Sequence, residues 1–184
     1  ARRCEGLLMD VVGLCVTARN EDYVGRALTG CDDDGPCTAI GHRRTLNAAG
    51  AAFVNGTAAH GEDFDDTFEG GPVHAGAVIV PAVLAACERH NPDGRMALIG
   101  IAIGTEVLCR LSLVVPKAVH KAGFHPTAIF GAMGAAAGVG AALGLNARQI
   151  VDALGVAGSM AGGIIEYLAE GAWTKRIHPG LAAQ

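Results

Sequence analysis

The chain has 184 residues, which suits one domain or part of a larger protein and is long enough to bury a sizeable core. It is 51% hydrophobic and 17% charged with a formal net charge of −4, and it carries no basic patch, so nucleic acid is not an expected partner. Aromatic residues make up only 4% of the chain, so the core must be built from alanine, glycine and branched aliphatic side chains.

The first 75 residues predict two helices and two loops. Residues 2–18 place apolar side chains on one helical face, and residues 45–60 form an alanine-rich helix. Residues 19–44 are polar and interrupted by glycines, which predicts an extended loop. Residues 61–75 predict a second loop, whose helix breakers are Gly61, Gly70, Gly71 and Pro72.

The next segments are longer and more apolar. Residues 76–89 predict a helix in which Pro81 introduces a kink or marks the first turn. The run Asn91-Pro92-Asp93-Gly94 is a turn signature. Residues 95–115 predict a long buried helix.

Helix-start signals mark the rest of the chain. Pro126 stands where a proline at the first helical position would, and Asn146 with Gln149 resembles a capping box that opens a helix over residues 147–158. Strand signals are weak throughout. The sequence therefore predicts an all-α fold, with residues 1–184 as a single helical domain. The abrupt end at Gln184 suggests that this domain is a fragment of a longer chain.

Two observations concern location. Residues 126–145 are uncharged over a membrane-spanning length, but their small side chains favour a buried helix, and Glu106 and Arg110 interrupt the apolar run 97–115. None of the six cysteines forms a Cys-x-x-Cys pair, and no signal peptide is visible. We expect a cytoplasmic protein without a membrane partner.

Ionisable side chains concentrate at four places between the apolar segments. These are residues 60–67, His74, residues 120–126 and residues 175–178. Three of the four lie directly before predicted helix starts, where free N–H groups and positive potential favour carboxylates. Histidines and a lysine at such positions predict a small anionic substrate.

Other interpretations of these residues stay open. Asp65, Asp66 and Thr67 could cap the turn that follows them, and His60 could be a hydrogen-bonded core histidine. Arg176 could serve only as a solvated or ion-paired side chain. The chain has no His-Glu-x-x-His motif and no complete calcium-binding loop, so no metal site is predicted.

Three blocks of the sequence resemble the MmgE/PrpD family, also called the 2-methylcitrate dehydratase family. Their order and approximate separation agree with the family pattern, and together they span most of the chain. The blocks are Asn55-Gly56 with His60, Asp63-Phe64-Asp65-Asp66-Thr67 and His74; Gly123-Phe124-His125-Pro126-Thr127; and Lys175-Arg176-Ile177-His178-Pro179-Gly180.

The resemblance implies a fold and a class of activity. Family members have a large helical domain and a smaller α+β lid domain, and they are usually homodimers. They act on small di- and tricarboxylates without a metal or organic cofactor. This chain is less than half their length, so it corresponds to the N-terminal part of the helical domain with the lid domain absent.

The resemblance also implies roles for individual residues. By motif position, the catalytic residues are Asp63, His74 and His125, and Lys175 binds substrate. Asp66 and Thr67 of the first block are assigned to substrate binding as well. The chain departs from the family at Gly70-Gly71-Pro72-Val73-His74, where many members have a His-Pro pair.

The function predicted from these residues is that of a cofactor-independent lyase that moves a proton next to a carboxylate, as in 2-methylcitrate dehydration or cis-aconitate decarboxylation. His74 and His125 form the acid/base pair in an undetermined order, Asp63 orients one of them, and Lys175 stabilises the developing charge. Mutual repulsion among the neighbouring aspartates could raise the pKa of one of them.

Three alternatives stay open. One is an epimerase that acts on a dicarboxylate such as iminodisuccinate, using the same scaffold. Another is a truncated helical module without catalytic activity. A metal-dependent hydrolase is the third.

Overall fold

The computed structural model describes residues 1–184 and confirms the predicted all-α class. Ten α-helices and one short 3₁₀ helix, Trp173–Ile177, account for most of the chain, together with a small antiparallel sheet of β1 (Asp34–Thr38) and β2 (Thr45–Leu46). The α-helices are α1 (Arg2–Ala18), α2 (Asp22–Thr29), α3 (Ala48–His60), α4 (Gly76–His90), α5 (Gly94–Val114), α6 (Ala118–Lys121), α7 (Pro126–Ala142), α8 (Ala147–Met160), α9 (Tyr167–Glu170) and α10 (His178–Ala183).

The prediction of one extended loop over residues 19–44 was wrong. This segment contains α2 and β1, and β1 pairs with β2 through an irregular register. The short helix α2 buries Tyr23, Val24 and Ala27 as one face, and it packs against α3. Its eight residues are too few for helical periodicity to stand out within a polar, glycine-rich stretch.

Helix α7 lies at the centre of the fold, packed against α4, α5, α8 and α10. Its contact with α5 is made through glycines. A methyl group at Gly134 would lie 2.8 Å from the Leu108 Cβ, and one at Gly100 would lie 2.7 Å from the backbone oxygen of Gly138. The two helices therefore touch backbone to backbone, as a core with few aromatic side chains allows.

Helix α5 is less buried than predicted. Only a single stripe of it is buried, which includes Gly100, Ile101, Gly104 and Leu108, and the ion pair of Glu106 with Arg110 lies exposed. By length and composition α5 could cross a membrane, but core helices of soluble proteins meet the same criteria. Its packing against α4 and α7 accounts for the buried stripe.

The predicted helix-start signals are confirmed. The Asn146 side chain accepts from the Gln149 N–H at 3.0 Å, and the Gln149 side chain accepts from the Asn146 N–H at 2.9 Å, which completes the capping box of α8. Pro126 opens α7, and His125 is its N-cap residue. The fold thereby brings the start of α7 near the end of α3, the loop 61–75 and the 3₁₀ helix.

Candidate active site

A cavity of about 520 Å³ lies where these four segments meet, within the size range of small-molecule sites. Most of the residues that line it have polar or charged side chains, and four of them are predicted site residues: Asp63, His74, His125 and Lys175. The other lining residues are His60, Gly61, Glu62, Pro72, His120, Pro126, Tyr167, Leu168, Gly171, Ala172, Trp173 and Arg176.

A buried carboxylate, Asp65, joins two histidines at one side of the cavity. Its Oδ2 lies 2.8 Å from Nδ1 of His60, and its Oδ1 lies 3.4 Å from Nδ1 of His74. His60 is the last residue of α3, and Thr127 of α7 accepts the backbone N–H of His74 at 3.2 Å. The end of α3 and the start of α7 thus place both histidines beside one carboxylate.

This arrangement shifts the pKa values of Asp65 and His74 in opposite directions. Burial alone would raise the pKa of Asp65, but the hydrogen bond with His60 and the charges of the two neighbouring histidines outweigh burial and hold this pKa well below its usual range. Burial alone would lower the pKa of His74, but the Asp65 carboxylate outweighs burial and raises it. His74 is therefore the histidine that readily carries a proton at the cavity.

His125 has the opposite character. It is 4% exposed, and its Nδ1 lies 3.2 Å from Nδ1 of His178, while its backbone N–H donates to the Gly163 carbonyl at 2.8 Å. Burial, and after it electrostatic repulsion by the neighbouring ionisable side chains of His60, His178 and Lys175, lowers the pKa of His125 to about 2. Its imidazole is consequently neutral at neutral pH.

Lys175 and Asp63 form an ion pair across the cavity mouth. The Lys175 ammonium donates to both carboxylate oxygens of Asp63 at 2.5 Å. Asp63 has a φ of 59°, in the left-handed region that aspartate enters more readily than most residues. The nearest contact of Asp63 with a histidine is 3.9 Å, to Nε2 of His60. In the structure Asp65, rather than Asp63, contacts His74.

A second cation holds the cavity wall together. The Arg176 guanidinium lies 4.7 Å from the centroid of the Tyr23 ring, and its Nε donates to the Gly61 carbonyl at 2.7 Å. The Tyr23 hydroxyl in turn donates to Glu62 at 3.0 Å. Gly61 has no space for a side chain, because a Cβ there would lie 2.1 Å from the Tyr23 hydroxyl oxygen. These contacts fix the loop to the 3₁₀ helix.

Asp66 and Thr67 lie away from the cavity wall. Asp66 accepts the N–H of Gly76 at 2.7 Å, so its carboxylate binds the first turn of α4. Burial, and then the charge of Asp65, raise the pKa of Asp66, although the hydrogen bond opposes them. Thr67 is exposed. Their assignment to substrate binding stays a prediction.

One group of side chains has the donor types that a metal ion uses. Ligand atoms of His60, Asp63, Asp65 and His74 all lie within 4.8 Å of one another. Within the protein, three atoms of this group have no hydrogen-bond partner: His60 Nε2, Asp65 Oδ1 and His74 Nδ1. Because Lys175 engages both oxygens of Asp63, a cation that used Asp63 as a ligand would have to displace the ammonium group.

The sequence did not assign a catalytic role to three residues that the structure brings to this site. His60 was open to a core role, Asp65 to a capping role, and His178 had none. Residues 60 and 65 stand in the same motif as Asp63, so the motif was the available signal. The Nδ1–Nδ1 contact of His178 with His125 joins residues 53 apart, and no local pattern predicts it.

Comparison with known proteins agrees with the helical fold. The family model described as "MmgE/PrpD N-terminal domain" matches residues 1–184. The "Cis-aconitate decarboxylase-like protein oryM" of Aspergillus oryzae is 28% identical over all of this chain and 40% of its own length.

Two further relatives carry the same activity in their names. The "Cis-aconitate decarboxylase" of Aspergillus terreus is 29% identical over 99% of this chain and 39% of its own length. The protein of that name from Homo sapiens is 37% identical over 73% of this chain and 28% of its own length. The chain therefore spans about 40% or less of the length of these relatives.

Proposed function

The chain belongs to the MmgE/PrpD family and spans the N-terminal domain of that family. On this basis we propose that the protein is a lyase that releases CO₂ from a small tricarboxylate such as cis-aconitate. The observation that carries this proposal is that one cavity is lined by Lys175 and by two histidines whose pKa values are shifted in opposite directions, upward for His74 and downward for His125. Relatives named cis-aconitate decarboxylase support the choice of substrate and reaction.

Such a decarboxylation needs a proton donor and charge stabilisation. When the bond from carbon to the departing carboxylate breaks, its electron pair moves into the remaining unsaturated acid. A proton must be delivered to carbon, and the negative charge that develops on the neighbouring carboxylate must meet hydrogen-bond donors. Apart from this proton the reaction consumes no further reactant, so positioned side chains are enough to catalyse it.

His74 fits the role of proton donor. Its pKa is raised by the buried carboxylate of Asp65, which favours the protonated imidazole. Its side chain is 17% exposed and reaches the cavity. After donation, the neutral ring remains held through its backbone by Thr127.

His125 fits a different role, that of a neutral hydrogen-bonding group. With a pKa lowered to about 2, it neither gains nor loses a net charge near neutral pH. Environments that push the pKa values of two groups apart divide acid/base roles between them. We assign proton transfer to His74 and hydrogen bonding of the developing charge to His125.

The cationic side chains of the cavity would hold the substrate carboxylates. Lys175 and Arg176 both line it, close to the carboxylates of Asp63 and Glu62. A bound polyanion would compete with Asp63 for the Lys175 ammonium. The proposed enzyme uses no metal or organic cofactor and forms a homodimer in the cytoplasm.

The test is direct assay of full-length protein with cis-aconitate. We expect release of CO₂ and appearance of an unsaturated dicarboxylate in NMR spectra. His74→Gln should lower kcat by about 10²–10⁴-fold, the usual contribution of general acid catalysis. The matched control is His90→Gln, which removes an exposed histidine and should retain wild-type kcat.

Two results would count against the proposal. Exchange of a substrate proton with deuterated water, with inversion of a stereocentre and no CO₂, would indicate an epimerase instead. Turnover of cis-aconitate by His74→Gln at the wild-type rate would remove His74 from the mechanism.

A further inference from the structure

The buried contact between His125 and His178 is not used by any role assigned so far. His178 is the first residue of α10, is 7% exposed and lies behind His125, away from the cavity wall. The two Nδ1 atoms lie 3.2 Å apart, a distance at which one nitrogen donates a hydrogen to the other. The Tyr167 ring closes the cluster, with its centroid 5.9 Å from that of His125 and 5.7 Å from that of His178.

An N–H···N hydrogen bond needs one proton between its two nitrogens. Burial lowers the pKa of both histidines, so the pair is neutral at neutral pH. Each neutral imidazole carries a single N–H proton. If His178 donates, His125 has its own proton on Nε2; if His125 donates, its Nε2 is left with a lone pair. The direction of this hydrogen bond therefore decides whether Nε2 of His125 is a hydrogen-bond donor or an acceptor.

The position of the ring makes this choice relevant to chemistry. Nδ1 of His125 contacts His178, which does not line the cavity, so Nε2 is the ring nitrogen of His125 that is left to meet a molecule in the cavity. A lone pair on Nε2 would repel a carboxylate, whereas an Nε2–H would donate to it. A neutral imidazole that donates in this way stabilises developing negative charge without first having to be protonated.

We propose that His178 is a positioning residue that donates its Nδ1–H to Nδ1 of His125 and thereby holds His125 in the tautomer whose Nε2–H faces the cavity. The inference rests on the proposed function in one respect, the anionic substrate that this N–H would meet. His178 itself touches no substrate and acts only through His125.

The fold holds this pair in place from three sides. The backbone N–H of His125 is bound to the carbonyl of Gly163, and Pro126 fixes the first turn of α7. Gly163 has a φ of 119°, and a Cβ there would lie 3.3 Å from Nδ1 of His178. On the other side, Gly180 brings α10 against α3, because a Cβ at Gly180 would lie 2.3 Å from the Phe53 carbonyl oxygen. The ring of His178 thus has little freedom to turn away.

The direct test is the ring ¹⁵N spectrum of the native protein in the presence of tricarballylate, a saturated tricarboxylate used as probe. Ring nitrogen shifts distinguish a protonated from an unprotonated nitrogen. We expect His125 to be protonated at Nε2 and unprotonated at Nδ1. Protonation of His125 at Nδ1 would overturn the proposal. This readout needs no turnover, so an inactive enzyme would refute the proposed function and leave the tautomer assignment to be judged separately.

A matched pair of variants tests the donor role. Asparagine and aspartate have nearly the same shape, but only asparagine can donate in the place of Nδ1–H. We expect His178→Asn to keep the Nε2–H tautomer of His125 and kcat within about tenfold of wild type. His178→Asp accepts only, so it should move the His125 proton to Nδ1 and lower kcat by about 10²-fold, the effect of losing one charge-stabilising donor.

The comparison separates positioning from a structural role. Equal losses of kcat in the two variants, with both still folded by circular dichroism, would show that His178 only supports the packing and would overturn the proposal. If neither variant folds, the wild-type ¹⁵N spectrum alone decides between the two tautomers.

Discussion

At the scale of single residues, the site is organised by one buried carboxylate. Asp65 has a side chain with no solvent exposure, and it faces two histidines that lie on different segments. A buried charge is stable only when it is paired or hydrogen-bonded. The same pairing raises the pKa of His74 above that of a buried histidine without a carboxylate partner. Asp65 therefore both holds the two histidines in place and sets the proton affinity of one of them.

The variant Asp65→Asn separates these two roles. Asparagine can still accept from His60, but it removes the charge that raises the pKa of His74, so burial should then dominate and lower that pKa. NMR titration of His74 should register a lower pKa, and kcat near neutral pH should fall by about 10²–10⁴-fold. The control Asp22→Asn removes the charge of an exposed carboxylate that does not line the cavity. An unshifted titration of His74 would contradict the role given to Asp65.

Lys175 gives a second prediction at this scale. Lys175→Met keeps the length of the side chain and removes the ammonium group, so one charge-assisted hydrogen bond to a substrate carboxylate is lost. Such bonds are worth about 1.5–3 kcal/mol, which corresponds to an increase in KM of roughly 10–10²-fold. The matched change at exposed Lys121 should have no effect on KM. Steady-state kinetics that give the same KM for Lys175→Met and wild type would remove Lys175 from substrate binding.

The sequence predicted some of these residues better than others. Motif position placed Asp63, His74, His125 and Lys175, and the structure brings all four to one cavity. It could not divide roles between Asp63 and Asp65, because the turn that directs one carboxylate to Lys175 and the other to His74 depends on the left-handed backbone at residue 63. Adjacent aspartates in a sequence carry no information on which one is buried.

At the scale of elements, the cavity depends on helix ends. His60 ends α3 and His125 precedes α7, while Lys175 and Arg176 lie on the 3₁₀ helix that leads into α10. Helix ends were predictable where capping residues marked them, as at Pro126 and Asn146. The short helix α2 was not, because eight residues give too few turns for a hydrophobic period to be recognised.

The close packing of α5 on α7 is a testable property of these elements. Gly134→Ala would place a methyl group 2.8 Å from the Leu108 Cβ and 3.0 Å from the Gly104 backbone oxygen. Overpacking of this kind destabilises a protein by about 1–3 kcal/mol. Gly155→Ala, in the exposed part of α8, has no atom within 4 Å and should stabilise the protein by up to about 1 kcal/mol through helix propensity.

Urea unfolding of both variants checks this prediction. Both changes replace a helical glycine with alanine, so the difference between them isolates the effect of the helix contact. Equal stability of the two variants would mean that α5 can move away from α7 at little cost, and that the glycines do not set their distance.

At the scale of the whole molecule, the buried histidines link the site to the stability of the fold. In the folded state the pKa of His125 is lowered to about 2, whereas an exposed histidine of the unfolded chain has a pKa of about 6.5. Between these values the unfolded state binds a proton that the folded state does not, so stability rises with pH across this window and is lost as pH falls. The lowered pKa of His178 acts in the same direction.

Two other groups of the site act in different pH windows. The raised pKa of His74 contributes stability that is fully present below pH 6.5 and is lost as pH rises through its folded value, so it partly offsets the buried pair. The lowered pKa of Asp65 contributes stability above pH 3.8, which is lost as pH falls through its folded value. Between pH 7 and pH 5, Asp65 is ionised in both states, so the histidines determine the slope.

His125 alone is expected to lower the free energy of unfolding by about 2 kcal/mol between pH 7 and pH 5, because the unfolded chain takes up its proton in this range and the folded state does not, and one pKa unit corresponds to about 1.4 kcal/mol. Urea unfolding at several pH values measures this slope. His125→Gln removes one buried imidazole and should flatten the slope, whereas His90→Gln removes an exposed one and is the matched control. If the two variants changed the slope equally, burial of His125 would not be its cause. That result would also argue against the assignment of His125 as a neutral group in the site, because this assignment depends on the same burial.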